Sequence, residues 1–291
     1  MNKNSTWLIR REFWENRAIW LIPAVFGGLL LIAALFGRVS IPQLTSPQES
    51  RVAAAAFQGI IGATFAVVMS VYSTWYLLDC LYTDRRDRSI LFWKSLPISD
   101  ATTVLIKLLV GMLIIPLVYF AATDATALLA AFILSIRARA AIGSSLWNGE
   151  IWFQMQVLWI YLIVTAAIWY LPIAGWLMLV SAWAKRAVML WAVLPPLLLY
   201  ILERVFFGTK IVGHIIGRRL GGLLPVAVND PTRMWTHGGG VVDNAAATSI
   251  TVWQLINPRG FFTSAETWIG VAAGVVLIAA AIQLRMRRSE I

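Results

Sequence analysis

The stretch Thr83–Asp100, TDRRDRSILFWKSLPISD, holds the densest run of charge in the chain and lies between two long apolar runs. Asp84, Arg85, Arg86, Asp87 and Arg88 make a charged front, and Ile90, Leu91, Phe92 and Trp93 follow as an apolar middle before Lys94. Asp87 is suited to cap a helix beginning at Arg88 or Ser89, and Pro97 stops that helix. Ser99 or Asp100 then caps the next one. The stretch therefore reads as a loop between two membrane helices that contains a short surface helix of its own. That reading makes the whole chain an all-α integral membrane protein.

Composition agrees. Of the 291 residues, 59% are hydrophobic and 13% charged, with a mean hydropathy of +0.75; a soluble domain carries about 25% charged residues. The 15 tryptophans fit a class in which Trp gathers at the membrane interface. The formal charge of +10 is explained by basic loops held on the cytoplasmic side and in contact with anionic lipid. No nucleic-acid-binding module accompanies it, so nucleic acid is not an expected partner. Cys80 is the only cysteine, which excludes an internal disulfide.

Outward from the stretch, six spans follow from apolar runs long enough to cross a bilayer. They are Ala18–Phe36, Phe57–Tyr82, Ala101–Ala122, a long kinked Ile151–Trp183 interrupted by Pro172 and Gly175, Val188–Phe207 with Pro195 and Pro196 inside, and Thr267–Leu284. Lys107 is read as snorkelling from the inner end of the third span, and Asp79 and Asp124 as boundary residues. Ala125–Ile136 is either a helical extension of that span or a segment in the outer leaflet. Gly270 and Gly274 make a GxxxG match for close helix contact in the sixth span. Four segments result: 1–17, a cytoplasmic interfacial helix; 18–207, spans one to five with the loop 83–100; 208–264, an extracytoplasmic segment; and 265–291, the sixth span and its basic tail. Placing both termini in the cytoplasm puts Lys3, Arg10, Arg11, Arg17, the loop's Arg and Lys residues, Lys185, Arg186 and the C-terminal arginines inside, as the positive-inside rule requires.

The motifs for catalysis are missing. There is no GxxxxGK[ST] phosphate loop, no HExxH and no GxSxG. His214 and His237, the two histidines, lack metal-ligand spacing, so no metal site is expected.

The run Leu78–Val110, LDCLYTDRRDRSILFWKSLPISDATTVLIKLLV, resembles the loop and flanking helices of ABC-2-type permeases, as do the six-span layout, the long outer loop before the last helix and the Arg-rich end. The resemblance is specific over about 30 residues and otherwise one of organisation. It implies the transmembrane subunit of an ATP-driven exporter in the bacterial cytoplasmic (inner) membrane, not itself an enzyme and with no cofactor of its own. ATP would be bound by two separate ATP-binding subunits, and a second permease copy would complete a homodimer. Asp87–Leu96 matches the coupling helix that seats in the ATPase: Ile90, Phe92 and Trp93 would be the apolar docking contacts and Arg85, Arg86, Arg88 and Lys94 the polar rim, with Asp87 and Leu91 in the same coupling segment. The first span would pair with the second copy, and the second and fifth would line the path. The apolar interior leans toward a hydrophobic or amphipathic cargo. The alternative is a membrane scaffold or sensor that recruits cytoplasmic partners without moving substrate.

Overall fold

The computed structural model describes residues 3–37, 47–86, 99–137, 146–229 and 252–287. Of these residues 91% are helical and none lies in a strand. Among the described residues six helices are long and apolar enough to cross a membrane, which makes this a multi-pass helical protein.

Helix α1 (Lys3–Glu15) turns at Asn16–Arg17 into α2 (Ala18–Phe36). α3 (Pro47–Arg86) runs 40 residues, beginning ten residues before the expected second span. α4 (Asp100–Arg137) is continuous through a π turn at Val110–Ile114, so Ala125–Ile136 is a helical extension. The π turn coincides with Gly111, where the Leu77 side chain comes close enough that even a Cβ would collide with it. Ser99 is the residue that caps α4: its Oγ accepts from the Thr102 amide at 3.1 Å. The long kinked span divides at Tyr170 into α5 (Gly149–Trp169) and α6 (Leu171–Trp183), with Pro172 in the first turn of α6, where its missing N–H costs nothing. α7 (Val188–Leu202) keeps Pro195 and Pro196 within the helix and ends in a π turn at Glu203–Phe207. Among the described residues four short helices follow: α8 (Ile211–Gly221), α9 (Leu223–Ala227), α10 (Val252–Leu255) and α11 (Pro258–Thr263). α12 (Ala265–Arg287) closes the bundle.

α3 is the central helix, packed on α4, α5, α6 and α7, while α2 lies along α4 and α12 along α6. The main core joins Ile19, Phe65, Tyr76, Val110, Tyr119 and Met178. The α6–α12 contact uses one glycine of the GxxxG match: a Cβ on Gly175 would sit 3.0 Å from the Gly274 carbonyl oxygen, and one on Gly274 would meet the Leu171 backbone at 2.9 Å, whereas Gly270 faces the Arg219 guanidinium. α2 and α7 are the least covered spans, each 17% buried over its apolar window against 39% for α4.

The connections alternate between two ends. Glu12 of α1, the end of α3, the start of α4 and Arg285 of α12 come together at one end. The α6–α7 turn joins them through Arg85. At the other end Arg137 donates to the Ala34 and Gly37 carbonyls, and the short helices α8–α11 gather on α5. There Trp169 packs with Leu223, Ala227, Val228 and Phe261 in a second small core. The Arg219 guanidinium lies 4.4 Å from the Trp169 ring centroid, and the indole N–H donates to the Arg219 carbonyl. Desolvation lowers the Arg219 pKa from its ordinary value, and the Glu266 carboxylate opposes that shift.

Candidate functional site

Charged side chains are costly in an apolar bundle unless paired, so a buried group of them marks the place to look. At the end where α1 and the last turn of α12 meet, Glu12, Asp84, Lys107 and Arg285 are all buried, none more than 6% exposed. Lys107 Nζ lies 3.1 Å from Glu12 Oε1 and 3.3 Å from Asp84 Oδ1. Arg285 reaches the other Asp84 oxygen at 3.0 Å through a terminal nitrogen and Asp100 Oδ1 at 3.0 Å through Nε. Glu12 Oε2 accepts from the Tyr76 hydroxyl at 2.8 Å and the Asn16 amide at 3.2 Å. Four helices, α1, α3, α4 and α12, are thus tied by one charged network. Its geometry is that of paired, hydrogen-bonded ions, which a dry interior tolerates.

The helices place these groups for local reasons. Asp84 and Asp100 sit at the last turn of α3 and the first residue of α4, so they flank residues 87–98. Asp100 also stands where an acidic group is favoured by the helix dipole. Lys107 follows Asp100 by two turns on the same helix. Next to Asp84, Arg85 turns the opposite way and donates to the backbone carbonyls of Ser181 and Ala184, clamping the end of α6 onto α3. The Ser181 hydroxyl accepts from the Leu81 and Tyr82 amides at 3.1 and 3.0 Å.

Lys107 corrects the sequence reading. It is held at 3% exposure by two carboxylates and does not snorkel to water. Of the residues expected to couple the loop to a partner, Arg85 is half-buried in the α6 clamp, and Arg86 is exposed beside the Tyr82 ring at 5.9 Å. Asp87, Arg88, Ile90, Leu91, Phe92, Trp93 and Lys94 lie outside the described residues. At the far end, Asp124 is half-buried and accepts from the Gln156 amide at 2.8 Å. Among the described residues no group of three or more His, Cys, Asp or Glu is arranged to hold a metal ion.

Beside the network, a cavity of about 460 Å³ opens between α1, the start of α2, α3 and α4. Lys107 and Asp84 form its floor, and Tyr72, Trp75, Tyr76 and Asp79 its α3 wall.

No protein-family model, no curated protein and no solved structure matches the chain.

Proposed function

We propose that the chain is the membrane-spanning subunit of an ATP-driven transporter of the ABC-2 type, acting as a pair of copies with separate ATP-binding subunits. In this reading the 87–98 loop receives the ATPase in the cytoplasm. The observation that carries it is the convergence of both loop stems on one buried charge network. Asp84 and Asp100 share Arg285, and Asp84 shares Lys107 with Glu12. A displacement of the loop therefore pulls on α3 and α4, and through the charged partners on α1 and α12. An interior network of this kind has few arrangements of similar energy, because separating its members leaves charges unpaired. It would pass on a push instead of absorbing it.

Charge supports the sidedness. The network end carries Arg10, Arg11, Arg17, Arg85, Arg86, Lys185, Arg186, Arg285 and Arg287 close to the ends of spans, the signature of a cytoplasmic face. A bacterial inner membrane and outward movement of an amphipathic cargo complete the reading. Its second copy would cover part of α2, whose Trp20, Val25, Leu29 and Phe36 are exposed.

The test is the loop itself. Phe92→Asp with Trp93→Asp removes the apolar anchors that dominate interface energetics. The variant should still insert and fold while losing co-purification with a phosphate-loop ATPase encoded beside it. Unchanged co-purification would remove the loop from the interface.

A further inference from the structure

The charged network and one separate ion pair account for every charged group but one that lines the cavity between α1, α3 and α4. Lys107 is taken by Glu12 and Asp84. Arg11 pairs with Glu15 at 2.6 Å. Asp84 is further held by Arg285. Asp79 is different: its carboxylate accepts from the Thr83 hydroxyl at 2.7 Å, and no basic group among the described residues lies within ion-pair distance of it. Among the charged groups that line this cavity, Asp79 is the exception.

The wall around that carboxylate is aromatic. Tyr72, Trp75 and Tyr76 line the cavity from the same helix, within two turns of Asp79. Tyr72 and Tyr76 are buried, and Trp75 is 59% exposed beside the exposed Val71. The cavity therefore has a charged lining of mixed sign, Asp79, Asp84 and Glu15 against Lys107 and Arg11, and Trp75 carries it to the apolar outer surface of the bundle. Asp79 lies seven residues before the end of α3, about 10 Å along the helix axis. A volume of about 460 Å³ falls within the range of roughly 300–1,000 Å³ usual for small-molecule sites.

We propose that this cavity binds a lipophilic cation, with its positive head paired to Asp79, its contact surface on Tyr72 and Trp75, and its apolar remainder passing out along Trp75. Aromatic rings beside a carboxylate favour a bulky, weakly hydrated ammonium over a small hydrated ion, because the rings attract the cation without demanding that it shed a tight water shell. Two sources share this chemistry: the amine headgroup of a membrane lipid and a free amphiphilic amine. The site does not rest on the ATPase reading, since it belongs to the chain alone, and its test uses no partner subunit.

The probe is radiolabelled tetraphenylphosphonium, bound at equilibrium to the full-length chain in lipid nanodiscs. Tetraphenylborate, the same shape with the opposite charge, is measured separately. The phosphonium should bind saturably at one site per chain, and the borate no more than to empty nanodiscs. Asp79→Asn, which keeps the Thr83 contact, should weaken phosphonium binding by about tenfold, the size of a Coulomb attraction moderated by a half-buried setting. Asp79→Glu should restore most of it. Trp75→Leu should weaken it by roughly two- to fivefold, the size of one partly exposed cation–π contact. Nanodiscs rich in phosphatidylethanolamine are compared with nanodiscs in which a monoglucosyl diacylglycerol replaces it at equal anionic content. Weaker phosphonium binding in the amine lipid would name the headgroup as the occupant, and equal binding would name a free amphiphile. Equal binding of the borate, or unchanged binding by both Asp79→Asn and Trp75→Leu in variants that elute as folded protein, would overturn the site.

Discussion

Lys107→Met is the sharpest probe of the buried network. The substitution keeps the length and apolar stem of the side chain and removes only the charge that Glu12 and Asp84 share at 3.1 and 3.3 Å. Glu12 would retain Tyr76 and Asn16, and Asp84 would retain Arg285, but each carboxylate would lose a contact it cannot replace with water at 3–6% exposure. Removing one partner of a buried pair costs about 3–5 kcal/mol. At about 2 °C per kcal/mol for a chain of this size, the apparent melting temperature should fall by on the order of 6–10 °C. The assay is thermal loss of the monodisperse peak on size-exclusion chromatography in mild detergent. Unfolding there is irreversible, so variants are compared at one heating rate. Adding Glu12→Gln to Lys107→Met should return part of the loss, because a neutral amide tolerates the missing ammonium. The cycle should give a coupling of about 1 kcal/mol or more, as expected for residues in one network. A loss below about 0.5 kcal/mol for Lys107→Met, the size of an ordinary surface change, would refute the network as a structural tie.

Three further outcomes follow from single positions. Gly175→Ala forces a Cβ against the Gly274 carbonyl oxygen at 3.0 Å, backbone against backbone, and should cost about 1–3 kcal/mol by thermal melting. Arg85→Met strands the Ser181 and Ala184 carbonyls and should cost about 1–3 kcal/mol, with increased proteolysis at the Ala184–Ala187 turn as the specific sign. Ala187 holds a left-handed conformation at φ 50°, so Ala187→Gly should be neutral or stabilising by up to about 1 kcal/mol in the same melt; a clear loss would contradict that backbone geometry.

The six spans are legible in the sequence because lipid demands uninterrupted apolar helices, and little else competes with that demand. The sixth span's glycine pair was half readable: Gly274 makes the close helix contact that small residues four apart suggest, while Gly270 leaves room for the Arg219 guanidinium, which the spacing did not announce. The break in the long fourth span was foreshadowed by Pro172 and Gly175, though it falls at Tyr170, because proline is tolerated in a first turn and breaks what precedes it. The network was not legible. Arg285 and Asp84 are 201 residues apart, and each looks like an ordinary residue at a helix end. Lys107 looked like a snorkelling lysine because sequence alone does not say that Glu12, on a preceding amphipathic helix, folds back over it. Glu12 itself gave no signal. One was available in principle: a single Lys inside an apolar span calls for a carboxylate from elsewhere. The cavity depends on this same fold-back, so its unpaired Asp79 passed as a boundary residue.

The most direct measurement of the central claim is ATP hydrolysis by the complex purified through a tag on this chain. The account predicts a co-purified phosphate-loop subunit with vanadate-sensitive ATPase activity, both lost together in Phe92→Asp/Trp93→Asp while the chain itself still elutes as folded protein. A folded wild-type preparation with no such subunit and no hydrolysis, or one whose activity ignores the loop substitutions, would contradict it.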